Sequence, residues 1–153
     1  MSHLSLRPGA RILDLTCHEG ELVEYFTHLG FESMGLDPDL GSIQKGHQLH
    51  PELSLYQHDL DNIFYVNYFD LAIAFNPNSF WHDHPSLNHF RIKNALSALK
   101  EKSIFLFKSP WARDQELENL SLYFSEDLFR MEKQVVQDLV KGESISLFIL
   151  YKK

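Results

Sequence analysis

Two groups of residues in this 153-residue chain have the types and spacing to do chemistry. The first is Asp14, the loop Thr16-Cys17-His18-Glu19-Gly20 behind it, and a second acid, Asp37. Apolar Ile12-Leu13 run into Asp14, and an amphipathic stretch from Glu21 to Leu29 follows the loop, which reads as strand, tight turn and helix. A second apolar run, Ser33 to Leu36, ends in Asp37. An acid about 20 residues beyond such a loop is placed to accept hydrogen bonds from the ribose hydroxyls of a nucleoside. The loop, at the carboxyl end of its strand, can present backbone N–H groups to an anionic part of the same ligand. The second group is His82-Asp83-His84, with His89 nearby, whose residue types suit proton transfer or metal binding. Nine histidines in the chain make some clustering expected by chance. His82 is kept as the catalytic candidate beside a substrate, and no metal site is expected.

The elements that position these residues follow from periodicity. Strands are expected near residues 11–15, 33–37, 53–57, 70–75 and 103–108. Residues 103–108 form a continuously apolar run of the buried parallel type, stopped by Pro110. Leu40 to Leu49 is a short helix weakened by Gly41 and Gly46. Asp61 to Asn67 leaves space for a helical turn or a loop. From Ser86 to Lys100, Leu87, Phe90, Ala95, Leu96 and Leu99 recur at helical spacing, with Ser86 as N-cap. A further helix is expected over Asp114 to Ser125. Phe129–Val140 and Ser144–Tyr151 read as two strands joined by a tight turn at Lys141-Gly142. The whole is read as one domain, residues 1–153.

From Arg7 to Leu60 the chain resembles the cofactor half of class I S-adenosylmethionine-dependent methyltransferases. Their first motif is an acid, one residue, then glycines at alternate positions; here the acid is Asp14 and the glycine positions hold Thr16, His18 and Gly20. Thr at the first position, followed by Cys, also occurs in that superfamily. His18 at the middle position is a departure, since glycine there supplies positive φ and close approach to the ligand. Asp37-Pro38-Asp39 matches the second motif, in which the acid binds the ribose. Gln57-His58-Asp59-Leu60 matches the third, where Asp59 would lie by the adenine. Phe69 to Asn76 matches the fourth strand, whose end at Asn76 faces cofactor and substrate. The resemblance implies a three-layer Rossmann-like α/β fold, with a seven-stranded, mostly parallel sheet and an antiparallel C-terminal hairpin. It also implies S-adenosylmethionine as cofactor, held by Asp14, Thr16, His18, Gly20, Asp37, Asp59 and Asn76. His18 is expected to keep an allowed backbone and to project toward the methionine end of the cleft. Asp37 should face the cleft. Nicotinamide-binding domains keep a G-x-G-x-x-G loop and a further parallel unit, neither of which is present.

Two subfamily patterns are incomplete. Asn76-Pro77 followed by Phe80 partly matches the Asn-Pro-Pro-aromatic motif of amino-group methyltransferases, without the second proline. Phe107-Lys108 and Glu143 stand where 2′-O-ribose RNA methyltransferases carry a catalytic Lys and Glu. Two of that group's four residues are absent, so Lys108 reads as a strand-end lysine reaching solvent. The readings are therefore a methyltransferase of unknown substrate (small molecule, protein or RNA), a non-catalytic domain of the same fold binding a partner or nucleoside, and an RNA methyltransferase.

Composition narrows the setting. The chain is 44% hydrophobic and 23% charged, enough for a sizeable core. A formal charge of −7 opposes general nucleic-acid binding, which needs clustered Lys and Arg. No apolar run approaches membrane-spanning length, and Met1 to Ser5 carry no signal-peptide pattern. The single cysteine, Cys17, excludes an internal disulfide, so a cytoplasmic setting is expected; it reads as a small residue tucked behind the turn. The segment before the first strand is short and no lid-sized insertion is present. That points to a macromolecular substrate, to a homo-oligomer or partner subunit completing the cleft, or to loss of catalysis.

Overall fold

A computed structural model of the chain describes residues 5–109, 127–137, 141–142 and 144–153. The strands are β1 (Arg11–Asp14), β2 (Glu32–Asp37), β3 (Ser54–Gln57), β4 (Phe69–Ala74), β5 (Leu99–Ser109), β6 (Phe129–Gln137) and β7 (Ser144–Lys152). They form one seven-stranded sheet in the order β3-β2-β1-β4-β5-β7-β6. β1 to β5 are parallel, while β7 lies antiparallel between β5 and β6. This is the architecture the sequence implied, hairpin included.

Alternation along the strands divides the core between two faces. Leu13, Ala72 and Phe105 pack on one face with Ile92, Ala95 and Leu96 of α4 (Pro85–Ala98). Ile12, Leu71 and Ile73 pack on the other with Leu22 and Phe26 of α1 (Glu21–His28). Beside them, Val23 of α1 and Ile43 of α2 (Leu40–Leu49) enclose Cys17, Leu53 and Leu55. A one-turn helix, α3 (Pro77–Phe80), follows β4.

Several boundaries differ from expectation for physical reasons. The helix over residues 86–100 begins one residue earlier and ends at Ala98. Its N-cap is His84, not Ser86, because Pro85 occupies the first helical position, where its missing N–H costs nothing. Leu99 leaves the helical pattern because it pairs with Phe69 across the sheet. β5 therefore starts four residues earlier than expected and absorbs a bulge. Phe69 opposes Leu99 but Leu71 opposes Ile104, and Lys102 takes a left-handed φ of 63° within that bulge. Residues 61–67 carry no helix. The helix expected over 114–125, the strand residues 138–140 and Glu143 lie outside the described residues.

The loop after β1 approaches β2 so closely that a side chain at Gly35 has no room. A Cβ there would lie 2.6 Å from Cys17 Cβ, 2.7 Å from Cys17 Sγ and 2.9 Å from Val23 Cγ2. All three atoms belong to the packed core, so Gly35→Ala forces the loop or α1 outward. The expected cost is roughly 1–3 kcal/mol, the usual range for overpacking. It should appear as a lowered denaturation midpoint at unchanged m-value; an unchanged midpoint would show that the loop is not pressed against β2.

Candidate functional site

The carboxyl ends of β1, β2 and β4 converge on the Thr16–Gly20 loop. Two buried acids fasten it. Asp14 Oδ1 accepts a hydrogen bond from Thr16 N–H at 3.0 Å. Asp37 Oδ2 accepts from His18 N–H at 3.0 Å, and its Oδ1 accepts from Asp39 N–H at 2.9 Å. Between these, Cys17 N–H donates to the Leu36 carbonyl, and Gly20 N–H to the Cys17 carbonyl. Asn76 N–H, at the exit of β4, donates to the Thr16 hydroxyl at 3.0 Å. Asp14, Thr16 and Asn76 are thus linked on one side of the loop, and Asp37 and His18 on the other, with Gly20 closing its end.

Two details differ from expectation. Asp37 ends β2 but does not face an open cleft; it is 0% exposed and both oxygens hold backbone N–H groups. The loop's own N–H groups at Thr16, Cys17, His18 and Gly20 are likewise taken up internally. The donors that remain for an anion are Glu19 N–H, which has no partner among the described residues, and those of α1, whose N-terminus has no side-chain cap. Gly20, its N-cap, has φ 97°, a left-handed conformation natural to glycine.

His18 takes φ 51°, so the middle loop position does impose the left-handed backbone that glycine ordinarily supplies. The region is allowed but costly for a side chain bearing Cβ, and the hydrogen bond to Asp37 holds it there. The side chain is exposed. Asp39, at the β2–α2 junction, is close enough to feel its charge. Asp39 caps α2 through Ser42, whose hydroxyl and N–H hold its carboxyl below the ordinary range, with a smaller contribution from His18. Asp59 is exposed beyond β3, where its Oδ1 accepts from Asp61 N–H.

His82 follows α3 and is fixed by a residue the sequence did not single out. Asn88, fully buried on α4, accepts from His82 N–H at 2.7 Å and donates to the His82 carbonyl at 2.9 Å. No spacing rule links these two positions. Trp81 Nε1–H donates to the Lys108 carbonyl, joining the same segment to the end of β5. Arg91 bridges the Phe80 carbonyl and Asp61. His82 Nδ1 accepts from His84 N–H at 3.1 Å. The neutral ring therefore carries its proton on Nε2, making that nitrogen a donor and not a base. Among the described residues no group of His, Cys, Asp and Glu has the arrangement of a metal site.

Burial pushes the Cys17 thiol well above its ordinary pKa, with Asp14 and Asp37 adding to the effect, so it stays a protonated packing residue. Lys108 lies over the Phe75 ring at 5.4 Å from its centroid. Asp14 is raised from 3.8 to about 7, first by burial and then by the charge of Asp37, against the opposing Thr16 hydrogen bond. Folding therefore favours the protonated form of this residue. Its contribution to stability is fully present below pH 3.8 and is lost as pH rises through about 7. Asp14→Asn keeps an acceptor for Thr16 and removes the titration. The stability of the wild type relative to Asp14→Asn should fall between pH 4 and pH 7 by at most about 4 kcal/mol. A difference independent of pH, measured by chemical denaturation, would contradict the assignment.

No protein-family profile matches the chain, and no curated protein matches it in sequence. Solved structures do. A TehB-like SAM-dependent methyltransferase from Corynebacterium glutamicum superposes with a TM-score of 0.77 at 21% identity, over 97% of this chain and 83% of that one. The N-methyltransferase NodS from Bradyrhizobium japonicum, in complex with S-adenosyl-L-homocysteine, gives 0.73 at 15% identity, over 94% and 78%. An rRNA methylase from Streptococcus thermophilus gives 0.71 at 12% identity, over 96% and 89%. The chain has the class I, Rossmann-like methyltransferase fold.

Proposed function

We propose that this chain is an S-adenosylmethionine-dependent methyltransferase. The observation that carries the reading is the locus at the carboxyl ends of β1, β2 and β4. There Asp14, Thr16 and Asn76 are hydrogen-bonded together and Asp37 holds His18 N–H, on a loop that feeds an uncapped helix N-terminus. That donor set fits a nucleoside with an amino-acid tail. The tail's carboxylate would meet the free N–H groups of α1. The ribose hydroxyls would meet Asp37, each of whose oxygens has an acceptor site beyond the backbone bond it makes, with exposed Asp39 beside it. When bound, the cofactor supplies an electrophilic methyl group; the chain's part is to orient it and the acceptor. His82, with its proton on Nε2, is suited to donate a hydrogen bond to an acceptor molecule and to hold it in place.

The non-catalytic reading has one observation in its favour. Asp37 is closed off, and the loop spends four of its N–H groups on the protein, so the ribose reaches Asp37 only if the His18 segment shifts. Such a shift weakens binding relative to an open glycine loop. Calorimetric titration with S-adenosylmethionine and S-adenosylhomocysteine separates the readings. Micromolar to sub-millimolar dissociation constants are expected, tightening in His18→Gly at both about pH 5.5 and about pH 8, either side of the histidine range. Silence at millimolar ligand in both proteins would overturn the enzymatic reading. Nothing observed favours the RNA 2′-O reading: Lys108 is seated on Phe75, and Glu143 is outside the described residues.

A further inference from the structure

A cavity of about 370 Å³ opens at the opposite ends of the strands, where β1, β2 and β3 begin. Its walls are aromatic. Tyr56 comes from the edge strand β3, and Tyr65 and Tyr68 from the segment joining β3 to β4. Because no helix forms in that segment, these rings are left 53%, 36% and 41% exposed on the sheet. Ser33 lies in the same wall, with a buried hydroxyl that has no hydrogen-bond partner among the described residues.

The electrostatics of the cavity are one-sided. Glu32 and Glu52 both line it. Arg11 neutralises Glu32 at 3.1 Å and lies over the Tyr68 ring, 4.3 Å from its centroid. Glu52 has no partner among the described residues. Two helices also end here: Thr27, in the last turn of α1, lines the cavity, and Glu52 stands just past the end of α2. Helix C-termini carry partial negative charge, which adds to that of the carboxylates. His28 and His47, in those last turns, are not among the lining residues.

We propose that this cavity binds a small organic cation, a primary or methylated ammonium on a short apolar stem. The negative faces of tyrosine rings attract such groups, and Arg11 over Tyr68 shows the protein itself using one ring face in that way. Tyr56 has no ring or cation contact among the described residues, and Glu52, in the wall of the same cavity, is likewise unpaired among them. An anion would face a carboxylate and two helix C-termini. A neutral ligand would cover Glu52 without compensating its charge, at a desolvation cost. The volume is within the range of small-molecule sites, which begin at about 300 Å³.

The test is a titration of the full chain with choline, and with its neutral isostere 3,3-dimethylbutan-1-ol, following tyrosine ring signals by NMR. Saturable shifts of the Tyr56 and Tyr68 rings are expected with choline, with the isostere binding weaker by about tenfold. Glu52→Gln and Tyr56→Ala change exposed side chains, so both should keep the wild-type circular dichroism spectrum. Each should weaken choline binding by about tenfold, the scale of one cation contact. The proposal is overturned by the absence of a saturable shift at tens of millimolar choline. Equal binding of the isostere, or full choline affinity in Glu52→Gln, would also overturn it.

Discussion

The arrangement of the site depends on one carboxylate. Asp37 is sealed from solvent at the end of β2 and accepts from His18 N–H on one oxygen and Asp39 N–H on the other. Its backbone carbonyl accepts from His58 N–H beyond β3. One residue therefore fixes the loop after β1, the entry to α2 and the exit of β3. A buried carboxylate is tolerated only where hydrogen bonds compensate its lost hydration. Here those bonds come from backbone groups that would otherwise be left unsatisfied.

The same constraint accounts for the unusual composition of the loop. With His18 N–H held by Asp37, the middle position can stay left-handed without glycine, because the hydrogen bond offsets the local backbone cost. The close approaches usually eased by glycines in the loop are eased by glycines in its neighbours. Gly35 leaves room for Cys17, and Gly46 on α2 leaves room for the Glu19 carbonyl, which would lie 2.7 Å from a Cβ there. Lys45 then pairs with Glu19 at 2.5 Å across the same contact. Placing two acids together in this buried locus has an electrostatic consequence: Asp37's charge joins burial in raising Asp14. The loop holds four of its N–H groups internally, which leaves that of Glu19 and those of α1 for a ligand.

Much of the fold was legible because period-two and period-3.6 patterns were clean where one face is buried. The helix Leu40–Leu49 and the positions of the five parallel strands along the chain follow from that. The start of β5 was not legible, since Leu99 continues the helical spacing of Leu96 and is claimed by the sheet only through its pairing with Phe69. Asp14, Thr16, Asp37 and Asn76 could be placed at one end of the sheet from motif order. What Asp37 does there could not, because the register that brings His18 N–H to it arises from β1–β2 pairing and loop shape. Asn88 left no signal at all. A lone polar residue in a helix acquires its role only when α4 packs under His82. The aromatic exposure around Tyr56 and Tyr68 was equally hidden, as it results from the missing helix between β3 and β4.

The central claim, that Asp37 pins the loop through two backbone bonds, can be tested without a ligand. Amide hydrogen exchange measured residue by residue should show His18 and Asp39 protected by about a hundredfold or more, as for hydrogen-bonded amides that open only rarely. Glu19, whose N–H has no partner among the described residues, should exchange faster and serves as the internal reference. Exchange of His18 and Asp39 at the unprotected rate would contradict the account, provided Leu15, bonded to the Ile73 carbonyl in the neighbouring strand, stays protected.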